Sequence, residues 1–180
     1  MGLVSLADAK RQLNIDAANT DDDVELQGYI DAVTAPVEDQ VGYAVDQRLV
    51  TERVTVRGTS RTLVVPTVPV LAAVSVTSDG GQTWTDGDLA VTDPWAGEIE
   101  ASGVVFTGRC TVVVRVGLAT TPANVRLGAL IIVQHLWDTQ RGAMGGVQLG
   151  SDNEGWNPSY GFAIPRRAQE LLGSTMPGVA

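Results

Sequence analysis

The sequence predicts an α+β protein in which N-terminal and C-terminal helices form a helical body with an inserted antiparallel β-sandwich or small barrel. Three observations predict it. Two helix-forming segments open the chain at 5–13 and 20–45, side chains alternate between apolar and polar from 49 to 118, and a very apolar helical segment follows at 122–141. The 180 residues suffice for one domain plus a subdomain, and 44% hydrophobic against 18% charged residues supply enough apolar surface to offset chain entropy. The expected organisation is 1–48 as N-terminal helices that form a body with 121–141, then 49–120 as a β-rich subdomain. A flexible glycine-rich loop is expected over 142–164, and a final helix with a loose tail over 165–180.

Ser5 stands three residues before Asp8, a capping box with Asp in place of Glu, and starts a short helix that buries Leu6, Ala9 and Leu13. Thr20 is placed to cap the second helix. Its first turn, Asp21-Asp22-Asp23, sets carboxylates where free N–H groups and the helix dipole stabilise negative charge. The triplet reads as a helix start and not as a cation site, because an EF-hand spreads its ligands over a longer loop with a central Gly and a final Glu. Leu26, Ile30, Val33, Val37 and Val41 then recur at helical spacing and define one buried stripe. Pro36 lies inside that pattern, so a kink or restart is expected between Ala32 and Val37.

In the β segment Val70, Ala72, Val74 and Val76 fall on one face and Leu71, Ala73, Ser75 and Thr77 on the other. Val112, Val114 and Val116 repeat the pattern against Thr111, Val113 and Arg115. Asp79-Gly80-Gly81, Asp86-Gly87, Ala96-Gly97 and Ser102-Gly103 punctuate the run as turns, which gives roughly six to eight short strands. Thr121-Pro122 reads as N-cap and first helical residue. The helix after it carries Val125, Leu127, Ala129, Leu130, Ile131, Ile132, Val133, Leu136 and Trp137 around most of its circumference, so burial on all sides is expected, in a larger core or between subunits. Leu130, Ile132, Val133, Leu136 and Trp137 are the subunit-interface candidates. The segment 142–161 holds six glycines together with Trp156 and Tyr160. With Phe162, these aromatics are candidate anchors for a partner, and Arg166, Arg167, Leu171 and Leu172 of the last helix join them.

The formal charge of −9 is concentrated. Residues 1–50 hold ten acids against Lys10, Arg11 and Arg48, a net of −7, which leaves −2 for the other 130 residues. Such a chain is not built to grip nucleic acid, whose affinity for proteins comes mainly from cationic neutralisation of phosphates. An acidic face near DNA repels it, which suits a passage.

No constellation carries catalysis, and no metal or cofactor is expected. Cys110 is the only cysteine, so neither an intramolecular disulfide nor a cysteine metal site can form, and it reads as an inert strand thiol. His135, the only histidine, has Asp138 three residues on, and one His with one carboxylate is a poor metal set. No nucleophile elbow accompanies Cys110 or the serines. Gly142-Ala143-Met144-Gly145-Gly146 follows a helix where a phosphate cradle precedes one. Trp84 and Trp95 read as packing under loops, with a sugar-stacking platform as the alternative. The first residues lack a basic flank followed by an apolar run, and 127–133 is far shorter than a membrane span, so a protein made in a reducing cytoplasm is expected.

The order of several segments resembles a known family. The opening Leu3-Val4-Ser5-Leu6-Ala7-Asp8-Ala9-Lys10-Arg11-Gln12-Leu13, the acidic Asp21-Asp22-Asp23, and Val65-Pro66-Thr67-Val68-Pro69-Val70 come first. Thr121-Pro122-Ala123-Asn124-Val125-Arg126-Leu127, Gln134-His135-Leu136-Trp137-Asp138 and Gly161-Phe162-Ala163-Ile164-Pro165-Arg166-Arg167 follow. Together they resemble the head-to-tail connector (neck adaptor) proteins of tailed bacteriophages. The resemblance implies a structural ring, usually of twelve copies, seated on the portal protein and joined to the next neck protein, a head-closure stopper or a tail terminator. DNA would pass through that ring without specific binding, and the protein would reside in the virion neck after assembly in the host cytoplasm. On this reading Asp21, Asp22, Asp23 and Glu25 are the channel-facing acidic candidates, and a non-catalytic carbohydrate- or ligand-binding β module of a phage tail is the alternative.

Overall fold

Helical and strand periodicities in the sequence separate into two bodies. The computed structural model describes residues 3–103, 105–142 and 164–173, with only the backbone of Arg141 and Gly142. Residues 42–121 form one compact unit, and the described parts of 2–41 and 122–180 form the other. The helical unit contains α1 (Leu6–Gln12), α2 (Asp23–Val41), α3 (Ala123–Gly142) and α4 (Arg166–Leu172). The β unit contains β1 (Arg48–Ser60), β2 (Thr62–Val64), β3 (Val70–Ser78), β4 (Thr83–Thr85), β5 (Leu89–Asp93), β6 (Glu98–Ala101) and β7 (Phe106–Val116).

Local hydrogen bonds set the ends of α1. Ser5 is extended, and its Oγ accepts the Asp8 N–H at 3.1 Å while its hydroxyl donates to Asp8 Oδ2 at 2.8 Å. The expected capping box therefore closes through the hydroxyl and not through the Ser5 backbone. At the other end Asn14 takes a left-handed φ of 56°, and the N–H groups of Asn14 and Ile15 return to the carbonyls of Arg11 and Lys10. That is a Schellman stop, with Asn in the position Gly usually holds.

α2 begins two residues later than Thr20 capping requires. Asn19 Oδ1 accepts the Asp21 N–H and the Thr20 carbonyl accepts that of Asp23, which holds 19–22 in a turn, and Asp22 then gives the first helical carbonyl, to Leu26. Leu26, Ile30, Val33 and Val37 are buried in the predicted stripe. The expected restart at Pro36 does not occur, and α2 runs through it as one helix. Ala32, whose carbonyl loses its N–H partner to the proline, is exposed, so water can satisfy that group.

α3 packs against α1, α2 and α4. Its buried side is Val125, Ala129, Ile132 and Val133, while Leu127 is exposed and Leu130, Ile131, Leu136 and Trp137 are half-buried. Among the described residues, then, the helix is not enclosed on all sides, because three helices cover only part of its circumference. Gly128 sits where α4 crosses: a Cβ there would lie 2.9 Å from Leu172 Cδ2 and 3.0 Å from its Cγ. Gly128→Val is expected to push α4 off α3 and to destabilise the helical unit by about 1–3 kcal/mol, the usual cost of overpacking. Hydrogen exchange over 166–172 reads this directly, and unchanged protection there would refute the close crossing.

The β unit has a four-stranded sheet in the order β1-β7-β3-β4 and a three-stranded sheet in the order β2-β6-β5, with antiparallel pairing throughout. Leu63, Val70, Val76, Ile99, Phe106, Val112, Val114 and Val116 from both sheets join one buried cluster. β7 keeps the predicted alternation, with Cys110, Val112, Val114 and Val116 inward. β3 does not. Its buried residues are Val70, Ala73 and Val76, three apart, because register shifts between Val70 and Ala72 and between Ala73 and Ser75 each insert an extra residue against β7. The two bulges leave Leu71 and Val74 exposed instead of pairing Val74 with the core. Gly97 closes the turn before β6 at φ 70°, and a Cβ there would meet the Val65 carbonyl oxygen at 2.2 Å, so only glycine fits.

Candidate functional site

The docking candidates divide. Trp156, Tyr160 and Phe162 lie outside the described residues. Arg166 and Arg167 are exposed on α4, with Arg166 Nε 3.4 Å from Glu170 Oε1. Leu172, in contrast, is buried over Gly128 and Leu171 is half-buried, so Leu172 serves the chain's own core and is not open to a partner. Side chains from two other helices hold the end of α4. Asn124 Nδ2 donates to the Leu171 carbonyl at 2.9 Å, and Gln40 Nε2 donates to that of Gly173 at 3.0 Å, which satisfies carbonyls that a helix end leaves open. The two exposed arginines are thereby presented on an anchored helix.

Among the subunit-interface candidates, Ile132 and Val133 are buried inside the helical unit, and Leu130, Leu136 and Trp137 keep exposed surface. The Trp137 ring stands edge-on to Tyr29 of α2, with centroids 6.4 Å apart. Gln12 Nε2 donates to Gln134 Oε1 at 2.9 Å and ties α1 to the same helix.

The acidic candidates are not equivalent. Lys10 is only 6% exposed, the one buried charged side chain among the described residues, and its Nζ lies 2.5 Å from Asp23 Oδ1. The same ammonium donates to the carbonyl of Asn19 at 2.6 Å and of Ala17 at 3.4 Å. One cation thus ties α1, the connection after it and the start of α2, and Asp23 is a structural anion and not a free channel-facing carboxylate. The burial of Lys10 is tolerable because its charge is paired with a carboxylate and the ammonium also donates to two carbonyls. Sequence reading missed this role. Asp21 and Glu25 are exposed and Asp22 is half-buried, and Glu25 Oε1 accepts the Tyr29 hydroxyl at 2.6 Å.

The two tryptophans of the β unit part company. Trp84 is 6% exposed and stands edge-on to Phe106 at 5.3 Å, so it fills the core and offers no face to a sugar. Trp95 is 56% exposed and edge-on to Tyr43 at 5.4 Å. A platform built from Trp84 and Trp95 together is excluded. His135 is exposed, with its carbonyl accepting the Thr139 hydroxyl. Cys110 is buried in β7. Burial pushes its thiol pKa up and the Asp79 carboxylate adds to the rise, so little of it is the reactive thiolate. Among the described residues no three His, Cys, Asp or Glu side chains gather to hold a metal ion, and no helix is long and apolar enough to cross a membrane.

This geometry defines an α+β protein whose helical unit is assembled from segments on both sides of an inserted antiparallel β unit. Solved structures share that fold. The chain is similar to one in the neck of an empty gene transfer agent (GTA) particle computed with C6 symmetry, at TM-score 0.60 and 17% identity over 96% of this chain and 91% of that one. It is also similar to a chain in the neck of the native GTA particle computed with C12 symmetry, at TM-score 0.56 and 16% identity over 96% and 90%. A chain of the native GTA virion gives TM-score 0.56 and 14% identity over 96% and 91%. No family model matches the sequence, and no curated protein matches it.

Proposed function

We infer that this chain is a non-enzymatic structural protein of the neck of a tailed bacteriophage or phage-like particle, a head-to-tail connector that forms a ring on the portal. The likeness over 96% of the chain to neck chains of particles computed with sixfold and twelvefold symmetry carries the reading. Twelve copies is the number we propose. The portal protein lies on one side and the next neck protein, a stopper or a tail terminator, on the other. Arg166 and Arg167, exposed on α4, would pair with portal carboxylates, with Trp156, Tyr160 and Phe162 as further anchors. Leu130, Leu136 and Trp137 keep surface for a neighbouring copy, and Asp21, Asp22 and Glu25 would face the channel, where like charge keeps DNA mobile.

Deleting residues 174–180, which spares the Gly173 carbonyl held by Gln40, or changing Arg166 and Arg167 to Glu, is expected to leave the fold intact and to yield DNA-filled heads without tails. Electron microscopy of the lysate, with circular dichroism of the purified variants, checks both halves. Normal yields of infectious particles would move the portal contact off α4, and particles that lack the chain altogether would refute the neck assignment.

A further inference from the structure

The four-stranded sheet turns one face to its core, and among the described residues its other face is largely exposed. Along the β1/β7 ladder the uncovered positions pair Leu49 with Arg115, Arg53 with Thr111 and Thr55 with Arg109, and the bulges of β3 add Leu71 and Val74 to that side. Leu49 is 60% exposed, Leu71 39% and Val74 37%, and Arg53, Arg109 and Arg115 are exposed beside them. No carboxylate occupies an outward position on β1, β7 or β3. Apolar side chains mixed with arginine and free of Asp and Glu have the composition of a protein interface.

The chain itself carries the complement. On the side of α2 opposite its buried stripe, Val24, Gly28, Asp31, Ala35 and Asp39 form one line. Residues 23–41 have no Lys or Arg, and of their five carboxylates Asp31 and Asp39 stand on this line while Asp23 is held by Lys10. Val24 is 90% exposed, and a Cβ on Gly28 would meet nothing within 4 Å, so this line is bare and smooth enough for a second backbone to approach closely.

Resting on the ring reading above, we propose that the outer line of α2 in one copy docks on the outer face of β1, β7 and β3 in the next copy. Two unlike patches make a heterologous contact, which is the kind that repeats around a closed ring. A nucleic acid is the weaker occupant of the arginine face, because no aromatic side chain stands at its outward positions for bases to stack on.

Charge reversal in the full-length chain tests this. Arg53→Glu with Arg115→Glu, and separately Asp31→Lys with Asp39→Lys, should each lower ring content at least tenfold, whereas all four changes together should restore most of it. Native mass spectrometry of the concentrated protein and neck occupancy in purified particles give the readouts. As a second arm, Ala35→Cys with Thr51→Cys should give a ladder of disulfide-linked multimers on oxidation, and neither change alone should. Rings that ignore the reversals and form no ladder overturn the surface while leaving the neck assignment standing. A ladder in solution with the chain absent from particles does the opposite. Absence of both refutes both. Duplex DNA binding that falls steeply with salt and is lost in the Arg53→Glu, Arg115→Glu variant would identify nucleic acid as the occupant and overturn the proposal.

Discussion

Replacing Ile132 with aspartate is expected to unfold the helical unit. Ile132 is fully buried on α3, the helix that α1, α2 and α4 all touch, and its neighbours on the buried side are Val125, Ala129 and Val133. An ionised carboxylate there has no cation within the apolar cluster, since Lys10, the buried cation of this unit, is already engaged by Asp23 and two carbonyls. Burying a charge without a partner belongs to the small set of changes that cost about 4 kcal/mol or more, so the variant should lose helical signal and fail to enter particles. Wild-type thermal stability together with normal incorporation would show that Ile132 is not enclosed.

Trp84→Ala should do comparable harm to the β unit. The indole is nearly buried and meets Phe106 edge-on, and removing it opens a void the size of the bicyclic ring between β4 and β7, for a loss of about 3–5 kcal/mol. Trp95→Ala supplies the contrast. More than half exposed, with one edge contact to Tyr43, it should cost within about 1 kcal/mol. Chemical denaturation of the two variants side by side is the measurement. Equal stabilities would mean that the two tryptophans share one environment.

Much of this fold was legible in the sequence wherever periodicity alone decides. The α2 stripe and the inward valines of β7 were of that kind, since one face of each meets an apolar core along its whole length. The misreadings share a cause, which is that a tertiary neighbour settles what the local pattern leaves open. β3 looked regular, yet its bulges are a property of the pairing with β7 and leave no mark in the alternation of small apolar residues. At Pro36 local sterics predict a kink or restart; no restart occurs, and the water-facing position of Ala32 leaves its carbonyl open to solvent. Leu172 looked like a docking residue until Gly128, forty-four positions earlier, proved to be its seat. Lys10 was invisible because the three oxygens that surround it become neighbours only after α1 stops at Asn14 and the chain turns back.

Interrupting the helical unit with the β unit sets an order of events during synthesis. α2 leaves the ribosome with Leu26, Ile30, Val33 and Val37 uncovered, and the helix that covers them begins only after the 80 residues from 42 to 121 have been made. At ordinary translation rates that interval lasts about 4–16 s, far longer than a small domain needs to fold. The β unit, whose strands pair only with one another, can therefore be complete while the first two helices still wait for α3. The net −7 of residues 1–50 opposes the pairing of two such waiting stripes, because like charges repel.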